Sequence, residues 1–156
     1  MSLVQKLAAA LVAAIIAAAF VASELLVRPK PSTDREIVVY WEKWTGFEGD
    51  AMRAVVDAFN KSQDKYEVRM LTVTAIQNKT MLATAGGVPP DVAGLFGDNV
   101  AQYAMANAVR PLDDLFERDG LKREDYIPVY WDICTLGGLT WALPSTPAST
   151  ALHYNT

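Results

Sequence analysis

Three large rings crowd one short stretch of the chain: Tyr40, Trp41 and Trp44. Flat surfaces of this kind suit stacking on a ligand, and rings near a strand end also serve as core. The other groups able to do chemistry are scattered. His153 is the single histidine, which excludes a metal site built on several histidines and any triad that needs another one. It stands in the apolar run Ala151-Leu152-His153-Tyr154 and reads as a packed side chain. Cys134, the single cysteine, forms no internal disulfide and reads as a small buried apolar residue. Asp113-Asp114 and Glu124-Asp125 are adjacent carboxylates. Neighbours on a helix point to different sides, so these read as solvated faces or caps rather than acid–base dyads. No phosphate-binding Walker loop is present, and Gly46-Phe47-Glu48-Gly49 lacks the G-x-G-x-x-G spacing. The residues give an enzyme no positive support, and no cofactor or metal is expected.

The elements that must position the rings follow from pattern. Ile37-Val38-Val39-Tyr40-Trp41 is β-branched and aromatic, a buried strand, and it runs into a loop with Trp44, Thr45 and Gly46. Thr45-Gly46-Phe47-Glu48 fits a capping box, with Thr45 accepting from a backbone N–H and Glu48 reaching back. Met52, Val55, Val56 and Phe59 recur on one helix face, with Asp50, Arg53, Asp57 and Asn60 opposite. Residues 66–73 form a second strand, and Thr74 is placed to cap a helix over 75–85 that stops at Gly86-Gly87. Val88-Pro89-Pro90 forces an extended approach to a third strand over 91–96. Gly97-Asp98 turns the chain, and Asp98 suits the N-cap of a helix through Asn107. Strand and helix alternating in this way mean a parallel sheet. Ligands bind such sheets beyond the carboxyl ends of the strands, where Trp44 falls.

Further on the pattern changes. A turn at Arg110-Pro111 leads into a short helical piece, and a second helix begins near Pro128 with Tyr130 and Trp131. Two apolar arms around Gly137-Gly138 signal a hairpin. Leu143-Pro144-Ser145-Thr146-Pro147 is a loop, and another strand starts at Ala151.

The first 35 residues read differently. Lys6 precedes an apolar run over 7–22, followed by Ser23, Glu24 and the Pro-rich charged stretch to Ser32. This predicts a signal peptide over 1–23 and a linker over 24–35. The alternative is an uncleaved anchor through residues 7–27, since Leu25-Leu26-Val27 could lengthen the run toward the roughly 20 residues a span needs. Either way the remainder is exported. Beyond residue 35 stand 10 basic and 16 acidic side chains, a net charge of −6 with no cluster of Lys or Arg. Nucleic acid and anionic membrane surfaces are therefore poor partners. Membrane contact is expected only through the leading segment, if it stays uncleaved.

Four segments together resemble the family 1 extracellular (sugar-binding) solute-binding proteins of ABC importers. They are the strand, loop and helix from Ile37 to Ala58-Phe59-Asn60; Thr84-Ala85-Gly86-Gly87-Val88-Pro89-Pro90-Asp91-Val92; Tyr103-Ala104 with Arg110-Pro111-Leu112-Asp113-Asp114-Leu115; and Leu139-Thr140-Trp141-Ala142-Leu143-Pro144 with Ala151-Leu152-His153-Tyr154-Asn155. The resemblance spans roughly residues 36–155. It implies an α/β fold, a periplasmic-binding-protein-like lobe with a mainly parallel sheet flanked by helices, here the first lobe only and incomplete. Residues 36–156 are thus read as a truncated N-terminal lobe. The implied function is to bind an extracytoplasmic sugar or polyol and deliver it to an ABC transporter permease, as a monomer in the periplasm. The implied ligand-binding residues are Trp44, Thr45 and Gly46 after the first strand, Asp98 after the third, and Ser145 and Thr146 after Pro144. A carboxylate and a tryptophan face suit a neutral, hydroxyl-rich ligand, and no basic residue in these loops points to an anion. The segment after Pro144 departs from the commoner forms by lacking a carboxylate. The competing expectations are an exported α/β enzyme with its catalytic residues beyond this chain, and a membrane-tethered structural module.

Overall fold

The computed structural model describes residues 34–146, with residues 11, 12 and 14–18 of the leading segment. Those leading residues are helical. No helix among the described residues is long and apolar enough to cross a membrane. The remainder of the expected signal segment, most of the linker and the expected strand around His153 lie outside the described residues. The chain divides into two compact units, Met1–Arg35 and Glu36–Thr156, and every element below belongs to the second.

β1 (Glu36–Glu42) is the middle strand of a three-stranded parallel sheet in the order β2-β1-β3. β2 (Tyr66–Thr72) pairs along its whole length, from Glu36 opposite Tyr66 to Glu42 opposite Thr72. β3 (Val92–Gly94) pairs only with the carboxyl half, Tyr40 to Glu42. The third strand is shorter than the expected 91–96. Asp91 N donates to Val39 O at 3.0 Å, and the Asp91 carboxylate accepts Val39 N at 2.8 Å. A side chain there takes the place of a ladder carbonyl, so regular pairing starts one residue later.

α1 (Gly46–Ser62) crosses from β1 to β2. Met52, Val56 and Asn60, four residues apart, are its half-buried positions, whereas Val55 and Phe59 are exposed. Asn60 was expected on the solvent side. Instead its amide donates to Val68 O at 2.9 Å and accepts Val68 N at 2.8 Å. Gln63 treats Tyr66 likewise, accepting its N–H at 2.7 Å and donating to its carbonyl at 2.8 Å. Two amide side chains therefore satisfy the outward backbone groups of Tyr66 and Val68, the first half of an edge that would otherwise present them unpaired.

The expected capping box does not form. Thr45 is the N-cap of α1 but makes no side-chain capping bond. Gly46 has a left-handed backbone (φ +57°), which turns the first helical N–H groups away from the Thr45 hydroxyl. Thr74 does not cap α2 (Ile76–Ala85) either. Ala75 is the N-cap, with φ +51°, and the Thr74 hydroxyl accepts from Lys79 Nζ at 3.3 Å. The far end of α2 is as expected. Gly87 is left-handed, with Gly87 N bonded to Thr84 O at 3.0 Å and Val88 N to Ala83 O at 2.9 Å, a Schellman motif.

After β3 comes a 3₁₀ turn (Gly97–Asn99) and then α3 (Val100–Met105). Asp98 lies inside the turn, not at its start. Phe96 and Asn99 hold the cap positions, so the N-cap expectation for Asp98 is corrected. The core gathers where these helices meet α4 (Asp113–Asp119) and α5 (Pro128–Ile133): Ile76, Val100, Tyr103, Ala104, Phe116, Trp131 and Cys134 are buried. Phe116 and Tyr126 flank Trp131 at ring-centroid distances of 5.3 and 5.2 Å. The hairpin of β4 (Thr135–Leu136) and β5 (Leu139–Thr140) turns on left-handed Gly137 and Gly138, as the sequence predicts. The Asp113 carboxylate accepts Thr140 N at 3.1 Å, tying α4 to this hairpin.

Candidate functional site

At the carboxyl ends of β1 and β3 the chain opens into a cleft of about 1050 Å³. Its walls include Lys43, Trp44, Phe96, Asp98, Ser145 and Thr146. The three loops singled out in the sequence do meet. Trp44 Nε1 donates to the Thr146 hydroxyl at 3.3 Å, and the Trp44 and Phe96 rings pack edge to face at 6.2 Å. Trp44, Asp98, Ser145 and Thr146 thus line one cleft. Thr45 and Gly46 are exposed and stand outside its lining.

What holds Trp44 in place begins one residue inside β1. Glu42 is only 1% exposed. Its carboxylate folds back over the strand end and accepts Lys43 N at 2.6 Å, Trp44 N at 3.2 Å and the Tyr40 hydroxyl. A carboxylate bonded to several N–H donors is a strong local restraint, since bonds to charged acceptors contribute about 1.5–3 kcal/mol each. The space for it comes from β3. Glu42 stands opposite Gly94, where an added Cβ would fall 2.5 Å from the carboxylate. On the other side, Gly49 of α1 lies against the Trp44 carbonyl, and a Cβ there would come within 2.8 Å of it. Two glycines and one carboxylate therefore shape the turn that presents Trp44.

Lys43 completes the arrangement. Its ammonium is 3.8 Å from Glu42 Oε1 and its side chain is 10% exposed. It stands 4.5 Å from the Trp44 ring centroid and 5.1 Å from that of Phe96, within cation–π range of both. Burial pulls the Lys43 amine below its ordinary pKa, and the adjacent Glu42 charge opposes that pull. Burial, reinforced by the bond to Glu42, pushes the Tyr40 phenol well above its ordinary value. At neutral pH the phenol is a permanent donor to the carboxylate.

The residues missed in the sequence are Glu42, Lys43 and Phe96. The expectation that these loops hold no basic residue is corrected by Lys43, which lines the cleft. The sequence sets Glu42 and Lys43 between Trp41 and Trp44 at a strand's carboxyl end, but a Glu-Lys pair there reads as solvent-facing, and only the pairing with β3 buries it. Chemically, the cleft offers ring faces, a carboxylate at Asp98, hydroxyls at Ser145 and Thr146, and one compensated ammonium. That set suits hydrogen bonding and stacking. No group of His, Cys, Asp and Glu that could hold a metal ion occurs among the described residues.

No family model and no curated protein matches the chain. Solved structures do. CpMnBP1 with mannotriose bound superimposes with a TM-score of 0.65 at 24% identity, over 70% of this chain and 28% of that one. The GacH receptor of Streptomyces glaucescens, solved unliganded and with acarbose, gives 0.63 at 25% identity, over 70% and 29%. An ABC substrate-binding protein of Listeria monocytogenes in complex with cycloalternan gives 0.61 at 22% identity, over 69% and 28%. This chain therefore spans under a third of the length of the structures it matches. It has a periplasmic-binding-protein-like α/β fold, and the neighbours that share it are sugar-binding proteins rather than enzymes.

Proposed function

We propose that this chain is the N-terminal part of an extracytoplasmic sugar-binding protein that delivers its ligand to an ABC transporter permease. The observation that carries the reading is the convergence of Trp44, Asp98, Ser145 and Thr146 on one cleft at the strand ends, in a fold shared with sugar-bound proteins. In this reading the Trp44 ring covers the C–H face of a pyranose, and Asp98 accepts hydrogen bonds from sugar hydroxyls. Ser145 and Thr146 add neutral contacts, with Thr146 also steadying the Trp44 indole. A second lobe supplies the facing wall, because a one-walled cleft buries too little of a ligand. The leading segment exports the protein, as a cleaved signal or as an anchor, and the protein acts as a monomer. The exported-enzyme alternative gains no support from the neighbours.

Titration of the full-length protein with neutral oligosaccharides, followed by tryptophan fluorescence and calorimetry, tests the reading. Binding is expected, and Trp44→Ala and Asp98→Ala each should weaken it by about tenfold or more. Unchanged affinity in both variants would remove the site assignment.

A further inference from the structure

We infer that Glu42 is a specificity-determining residue: by compensating Lys43 inside the cleft, its carboxylate restricts the ligand to uncharged sugars and turns away carboxylated ones. The inference rests on the sugar-binding reading above and deepens it. Lys43 lines the cleft, and its ammonium stands over two rings of the same wall. Left alone, a largely buried ammonium in such a place would be a receptor for a sugar carboxylate, through a charge-assisted hydrogen bond. It is not alone. Glu42 Oε1, fixed by the Lys43 and Trp44 N–H groups, lies 3.8 Å from it. A bound uronate would meet a net charge near zero at this wall.

The other charged groups around the cleft do not restore an anion site. Arg110 is held by both oxygens of Asp114, at 2.7 and 2.6 Å. The Asp91 carboxylate is bonded to Val39 N, and Asp98 is exposed and acidic. Asp91 and Asp98 leave the cleft net acidic, so the balance at Lys43 decides whether the wall beside the Trp44 ring offers a ligand a local cation.

Glu42→Gln separates charge from shape. A glutamine oxygen can keep the two N–H bonds now made by Oε1, while its amide nitrogen faces the Tyr40 hydroxyl, which can accept. Neutral oligosaccharides and their uronic-acid-terminated counterparts would be titrated in matched pairs into the full-length protein by calorimetry. Wild type is expected to prefer the neutral member. Glu42→Gln is expected to shift the ratio of dissociation constants about tenfold toward the uronate, and added salt should reduce the gain only in part, because the Lys43 ammonium is largely buried. Lys43→Met should shift the ratio the other way, and decides the matter if Glu42→Gln does not fold. Equal weakening of both members, a ratio unmoved by Lys43→Met, or a wild-type preference for uronates each overturns the inference. Wild type that binds neither member removes the sugar-binding reading itself, whereas neutral binding with an unmoved ratio removes this inference alone.

Discussion

Residues 42–44 and residues 45–48 are consecutive, yet they are built in opposite ways. In the first, one buried carboxylate gathers two backbone N–H groups, a phenol and an ammonium. In the second, the expected cap makes no side-chain bond and Phe47 is 91% exposed. The turn that presents Trp44 is thus held from the strand side, and the helix that follows is anchored farther along, where Met52 and Val56 are half-buried and Asn60 bonds to Val68 of β2. The lesson concerns where precision is placed. Stacking on a ligand needs a ring fixed within a fraction of an ångström, and here the restraint sits on the rigid strand rather than on a helix end that frays.

Removing the restraint should have the largest effect. Glu42→Ala strips a partner from Lys43 N, Trp44 N and the Tyr40 hydroxyl and leaves Lys43 without its counter-charge. A loss of about 3 kcal/mol is expected, read as a lower urea midpoint in the full-length protein. A change below about 0.5 kcal/mol, the usual range for surface sites, would show that the network is ornamental. Gly49→Ala comes next. Its Cβ would press on the Trp44 carbonyl from the helix side, and backbone yields less readily than a side chain. About 1–3 kcal/mol is expected, together with weaker sugar binding, because the displaced group carries the ring.

The order of the elements was legible in the residues: the first two strands, the crossover helices, the Gly86-Gly87 stop and the Gly137-Gly138 hairpin stand where pattern places them, and the third strand does so over a shorter span, Val92–Gly94. The burial of Glu42 was not. A Glu-Lys pair reads as solvent-facing, and its burial depends on the register that sets Glu42 beside Gly94 of β3, fifty-odd residues away in the chain. Likewise the two bonds between Asn60 and Val68 require the helix to be docked first. That the loops after β1 and β3 meet at one sheet edge could be anticipated, because parallel strands put their exits on the same side; the loop at Ser145 and Thr146 follows the antiparallel hairpin instead, and only the family resemblance placed it there. Which side chains of those loops face inward could not. Thr45 and Gly46 share their loop with Trp44 and still lie outside the cleft lining.

The smallest expected effect is the most discriminating. Thr45-Gly46-Phe47-Glu48 has the spacing of a capping box, and replacing a working cap by alanine costs roughly 1 kcal/mol. With Gly46 left-handed and the Thr45 hydroxyl unused as a cap, Thr45→Ala should cost less than about 0.5 kcal/mol. Sugar affinity should change by less than about twofold, since Thr45 lies outside the cleft lining. The partner substitution Gly46→Ala sharpens the same point from the other direction. Nothing lies within 4 Å of an added Cβ there, so any loss comes from forcing a positive φ on alanine, about 1 kcal/mol. If Thr45→Ala proved as costly as a lost cap, and Gly46→Ala proved free, the helix start would be a conventional capped one. The contrast with the strand-held turn at 42–44 would then disappear.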